Sequence, residues 1–117
     1  MFLVDMPKGQ HLGDLELLVC IAADQLRDEA DATSIRREIM ARTSRRVARG
    51  ACYAVLDRLE EKGFVSSWLE SGSPSRRGLP RRRYRLEVPG GLAMTETLRN
   101  IQQLQGRGAP VLARETQ

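Results

Sequence analysis

The sequence predicts a small α+β domain, mainly helical, of the winged helix-turn-helix kind, with one further helix after it. Apolar residues recur at helical spacing in three successive segments: Leu15, Leu18, Val19 and Ala22; Ile35 and Ile39; and Cys52, Val55, Leu56 and Leu59. After Gly63 the pattern turns to alternation, in the runs Phe64 to Glu70 and Arg83 to Val88. A Gly-, Pro-, Ser- and Arg-rich stretch separates those runs, which makes them a hairpin with a long tip. A final helical stripe, Met94, Leu98, Ile101 and Leu104, completes the order. The 117 residues suffice for one buried core and not for two ordinary domains.

Residues 1 to 11 are expected to be a flexible leader, broken by Pro7 and Gly9. Residues 12 to 88 form the winged domain, 89 to 105 the last helix, and 106 to 117 a tail expected to lack order. The first helix runs from Leu12 to Leu26, with Gly13-Asp14 at its start. Leu17, Cys20 and Ile21 widen its apolar face beyond what one layer of core requires, which points to a partner helix. Asp31 is the expected N-cap of the second helix, whose Ile35 and Ile39 face inward while Arg36, Arg37 and Arg42 face outward. Thr43-Ser44 ends it, and Arg45 to Ala48 turn into the third helix, Arg49 to Lys62. Gly63 stops that helix at the position where a left-handed residue is favoured. Pro89-Gly90 opens the fourth helix, 91 to 105.

Charge is distributed unevenly. Residues 36 to 85 carry fourteen bases against five acids, whereas the rest of the chain carries five bases against ten acids. Positive charge concentrated in one stretch suggests a polyanionic partner. The longest apolar run, Leu17 to Ala23, is far too short for a membrane span, and Asp5 interrupts the apolar start of the chain, so no signal peptide is visible. A soluble, cytoplasmic protein is expected. Cys20 and Cys52 have no partner at metal-ligand spacing and fall on apolar stripes; His11 stands alone. Gly90-Gly91 matches no phosphate-binding loop. No catalytic constellation, metal site or cofactor is expected.

Several segments resemble the PadR-like transcriptional regulators, over roughly Leu12 to Met94. Leu12-Gly-Asp-Leu-Glu-Leu-Leu-Val19 resembles that family's first helix and Ile35-Arg-Arg-Glu38 its second. Gly50-Ala-Cys-Tyr-Ala-Val-Leu-Asp-Arg-Leu-Glu-Glu-Lys-Gly-Phe-Val65 is similar to its recognition helix and following strand, and Gly78-Leu-Pro-Arg-Arg-Arg-Tyr-Arg-Leu86 to the Arg-rich end of its wing. Asp31-Ala32 stands where the family usually has Tyr-Gly, Ala48 where it often has a Ser cap, and the fourth helix lacks the aromatic residue that ligand-binding members carry. The resemblance implies a dimeric repressor that binds an operator in double-stranded DNA.

On that reading the third helix enters the major groove by its N-terminal end, with Arg49, Gly50, Tyr53 and Ala54 on the approaching face. Arg36, Arg37, Arg45 and Arg46 flank it as phosphate contacts, and Arg76, Arg77, Arg81, Arg82 and Arg83 of the wing follow the minor groove or backbone. Leu17, Ile21, Met94, Leu98, Ile101 and Leu104 supply the homodimer contact. Two other readings compete. One is a winged module that binds an acidic protein without specific DNA binding; the other is a sensor whose small-molecule effector sets DNA affinity.

Overall fold

The computed structural model describes residues 11–72 and 76–106. The expected leader, apart from His11, and the tail after Gly106 lie outside the described residues, as does the centre of the hairpin tip. The elements are α1 (Asp14–Leu26), a 3-10 turn (Arg27–Glu29), α2 (Ala32–Arg42), α3 (Arg49–Glu61), β1 (Val65–Glu70), β2 (Arg81–Leu86) and α4 (Val88–Gln105). Three helices, a hairpin and one more helix is the predicted winged order.

Local chemistry sets the helix ends. At α2, Ser34 N–H donates to Asp31 Oδ1 at 2.7 Å, and Asp31 N–H donates to Ser34 Oγ at 2.9 Å, a reciprocal cap. At α1, Gly13 N–H donates to Glu16 Oε1 at 2.9 Å, while Lys62 Nζ donates to Glu16 Oε2, also at 2.9 Å. Burial alone would push the Glu16 carboxyl up; the Gly13 N–H and the Lys62 ammonium outweigh it and hold it below the usual range. The α3 N-cap, Ala48, offers no side-chain hydrogen bond. Arg36 instead holds the turn, its Nε donating to the Val47 carbonyl at 2.6 Å. Gly63, at φ 76°, exits α3 through the left-handed region.

The core forms where α1 meets α2, α3, α4 and β2. Val19, Cys20, Ile35, Val55, Leu56 and Leu59 are buried in it, with Phe64, Val65 and Tyr84 from the hairpin. The broad face of α1 is therefore covered largely within one chain. Leu17 is part of this core, and only the Leu15, Leu18 and Ile21 side remains half-open.

The second strand lies two residues earlier than its alternation suggested. It pairs antiparallel with β1 in the register Val65↔Leu86 to Glu70↔Arg81. On its other side Asp31 adds a one-residue bridge to Arg83, and Tyr84 N–H donates to the Ala30 carbonyl at 3.0 Å. Val88, expected to end the strand, instead opens α4 and is exposed. Pro89 explains the change, because it has no N–H to give a strand and fits the first helical turn. Gly90, rather than starting the helix, lies inside it against the hairpin. A Cβ there would stand 2.2 Å from the Phe64 carbonyl oxygen, so only glycine permits that crossing.

Candidate nucleic-acid interface

The buried stripe of α3 is Cys52, Val55, Leu56 and Leu59, as the spacing predicts. Arg49, Gly50, Tyr53, Ala54 and Asp57 are consequently exposed, with Tyr53 at 46%. Tyr53, Arg49 and Arg36 line a shallow crevice with Thr33 of α2, so the entry to α3 presents hydroxyls and guanidiniums together. Gly50 and Ala54 leave the middle of this face without bulk. Arg37, Arg46 and Arg49 are exposed and make no ion pair among the described residues. Arg36 is half-buried and committed to Val47, and Arg45 is ion-paired with Asp14 of α1. The predicted flank of four thus divides into Arg37 and Arg46, without an ion pair among the described residues, and Arg36 and Arg45, which brace the fold.

The wing divides more sharply. Alternation along β2 places Arg81, Arg83 and Arg85 on one face and Arg82, Tyr84 and Leu86 on the other. The first face looks onto the acids that precede α2. Arg81 Nε stands 3.3 Å from Asp31 Oδ2, and Arg85 stacks 4.9 Å from the Trp68 ring centre with Asp28 at 3.9 Å. Arg83 is the extreme case, with its side chain 8% exposed. Its Nε donates to Glu70 Oε2 at 2.7 Å and its Nη1 to the Glu29 carbonyl at 2.9 Å, with Asp31 Oδ2 at 3.6 Å. The hydrogen bond to Glu70 raises the Arg83 pKa further, and the same bond holds the Glu70 carboxyl below its usual range.

Arg83 therefore departs from its expected place on the DNA-facing surface: it lies inside the domain, because β2 pairs with Asp31 as well as with β1. Arg77 and Arg82 are exposed and Arg76 is half-buried. Arg82 Nη1 donates to Ser67 Oγ at 2.9 Å, and Ser67 donates in turn to Glu60 Oε2 at 2.7 Å, joining the wing to α3. The acids that bind the wing, Glu29, Asp31 and Glu70, were not among the expected site residues. Glu29 and Asp31 were visible only as part of an acidic connection before the second helix, and Glu70, at the end of β1, carried no such signal.

On α4 the buried residues are Gly90, Ala93 and Thr97, with Met94 and Leu98 half-buried beside them. At 100° per residue, Ile101 and Leu104 continue this same stripe, yet they are 43% and 82% exposed. The helix overhangs its own core.

No family model matches the chain, and no curated protein matches it in sequence. Solved structures do match. A PadR-like transcription factor from Bacteroides fragilis superposes with TM-score 0.63 at 26% identity, covering 79% of this chain and 84% of that one. A PadR family regulator from Clostridium difficile gives TM-score 0.65 at 19% identity, covering 81% and 97%. The chain has the fold of the PadR-type transcriptional regulators. One from Eggerthella lenta agrees, at TM-score 0.61 and 24% identity over 77% of this chain and 78% of that one. These PadR-type neighbours are regulators rather than enzymes. Among the described residues no group of three His, Cys, Asp or Glu could hold a metal ion, and no helix is long and apolar enough to cross a membrane.

Proposed function

We propose that the chain is a PadR-type transcriptional regulator that binds a specific operator in double-stranded DNA as a homodimer and represses the gene beside it. The observation that carries this reading is the entry to α3. There Arg46 and Arg49, without an ion pair among the described residues, flank a face of Gly50, Tyr53 and Ala54 that is open to solvent and uncluttered by bulk. Such a face suits the floor of a major groove, with Arg49 reaching guanine or phosphate and the Tyr53 hydroxyl reaching phosphate. Arg37 from α2 and Arg76, Arg77 and Arg82 from the wing supply further phosphate contacts. Asp57 and Glu61, one and two turns further along the open face, keep the C-terminal half of α3 away from the backbone.

The overhanging stripe of α4 supports the dimer. Ile101 and Leu104 extend beyond their own core, with Met94 and Leu98 only partly covered, and Ile21 opens onto a groove between α1 and α2. Covering these residues with a second chain sets two α3 helices against half-sites roughly 34–36 Å apart.

Fluorescence anisotropy of the purified protein on a duplex from its own promoter, beside a scrambled duplex and across a salt series, tests the reading. Much tighter binding of the promoter duplex, falling steeply with salt, is expected. Equal and weak binding of both duplexes would remove the specific-regulator reading for that site and favour an acidic protein partner. Leu104→Asp should move the sedimentation profile from dimer to monomer.

A further inference from the structure

The cluster around Arg83 points past simple charge. We propose that Arg83 is a positioning residue for DNA binding: it never touches DNA, and it fixes the wing relative to α2 and α3 so that both reading elements engage together. The inference rests on the DNA-binding reading above.

Arg83 joins three parts of the chain. Glu70 is the last residue of β1, Glu29 belongs to the 3-10 turn, and Asp31 is the N-cap of α2. Asp31 works in both directions at once, its Oδ1 capping α2 while its Oδ2 faces Arg81 and Arg83. From α2 the connection continues through Arg36 to the Val47 carbonyl, at the entry to α3. The wing is thus tied to the recognition helix through two arginines that face inward. A guanidinium suits the task, because its planar fork donates to several acceptors in fixed directions, which an ammonium does not. Two elements that must reach adjacent grooves bind as a unit only while their mutual geometry is held, and loosening one lowers the effective concentration of the second contact.

The charge of the acids gives the decisive test. Glu70→Gln and Asp31→Asn each remove a negative charge from a DNA-binding domain, and Asn caps a helix as well as Asp does. Simple electrostatics predicts tighter DNA binding by both variants. If Arg83 positions the wing, both bind the promoter duplex more weakly, the pair together by about tenfold, with the salt slope unchanged. Circular dichroism and a thermal melt establish that each variant is folded at the assay temperature. Arg83→Lys keeps the charge and should share the weaker binding at an unchanged slope. Tighter or unchanged binding by Glu70→Gln and Asp31→Asn would overturn the proposal, and so would a slope lowered by about one in Arg83→Lys or Arg83→Met, the mark of a lost phosphate contact. A wild-type protein that prefers no duplex would instead defeat the DNA-binding reading itself. In that event amide hydrogen exchange still reads the brace in the free protein: Tyr84 N–H, bonded to Ala30, should lose protection in Arg83→Met, and retained protection would overturn the brace as well.

Discussion

Between Arg81 and Arg85, three arginines turn toward Asp28, Glu29, Asp31, Glu70 or the ring of Trp68, whereas Arg46 and Arg49 at the entry to α3 face solvent and pair with no acid among the described residues. Both regions are rich in arginine. They differ in what the fold brings opposite. A strand alternates its side chains: Tyr84 and Leu86 pack on the core, and Arg81, Arg83 and Arg85 share the other face with Trp68 and Glu70 of β1 and with the acidic connection before α2. At the turn into α3 Asp14 takes Arg45, and Arg46 and Arg49 make no ion pair among the described residues. Density of positive charge is therefore a poor measure of how much charge is offered to DNA; the wing offers less than its six arginines suggest, and the α3 entry offers more for its length.

The largest expected effect separates the two regions by stability. Arg83→Met removes the guanidinium that donates to Glu70 and to the Glu29 carbonyl and should cost about 2 kcal/mol in urea unfolding. Arg46→Ala should stay within about 0.5 kcal/mol of the parent. Equal losses would erase the distinction. On DNA the order reverses: Arg49→Ala should weaken promoter binding about tenfold and lower the salt slope by about one, while Arg85→Ala leaves the slope near its parent value.

Acid sharpens the comparison further. The Glu70 carboxyl is held below its usual range by the hydrogen bond from Arg83, so the stability it contributes is present above the unfolded carboxylate pKa, about 4.3. That stability is lost as pH falls through the lower folded value. Arg83→Met should therefore flatten the acid limb of a urea-midpoint profile, and Arg46→Ala should leave it intact. The smallest effect concerns the thiols. Burial pushes the Cys20 thiol up to about 12 and also raises that of Cys52, which lies under the α3 entry. Neither should react with iodoacetamide in the native protein at pH 8. Arg36→Ala, which frees the turn at Val47, should make Cys52 labelling measurable, whereas Arg83→Met should not.

The helices were legible because their signals are local. Asp31 caps α2 with Ser34 three residues on, Gly63 ends α3 in a left-handed conformation, and Cys52, Val55, Leu56 and Leu59 face one way because a helix turns 100° per residue. The exposed face of α3, proposed to meet DNA, follows by subtraction from that buried stripe. The wing was legible as a hairpin, but its second strand was misplaced by two residues, since Arg81 and Arg82 pair with Glu70 and Leu69 of β1 and Pro89 draws Val88 into α4; the pairing of Arg83 and Tyr84 with Asp31 and Ala30, more than fifty positions earlier, was not legible at all. Likewise Gly90 was visible only as a helix opener until the Phe64 carbonyl appeared against it.

By itself, then, the sequence determined the order of elements, the buried stripe of α3 and the presence of an arginine-rich wing, because periodicity, caps and composition act over a few neighbouring residues. Only the tertiary structure decided which arginines remain free. An ion pair depends on acids brought alongside from distant positions, and at Arg83 the fold supplies three of them.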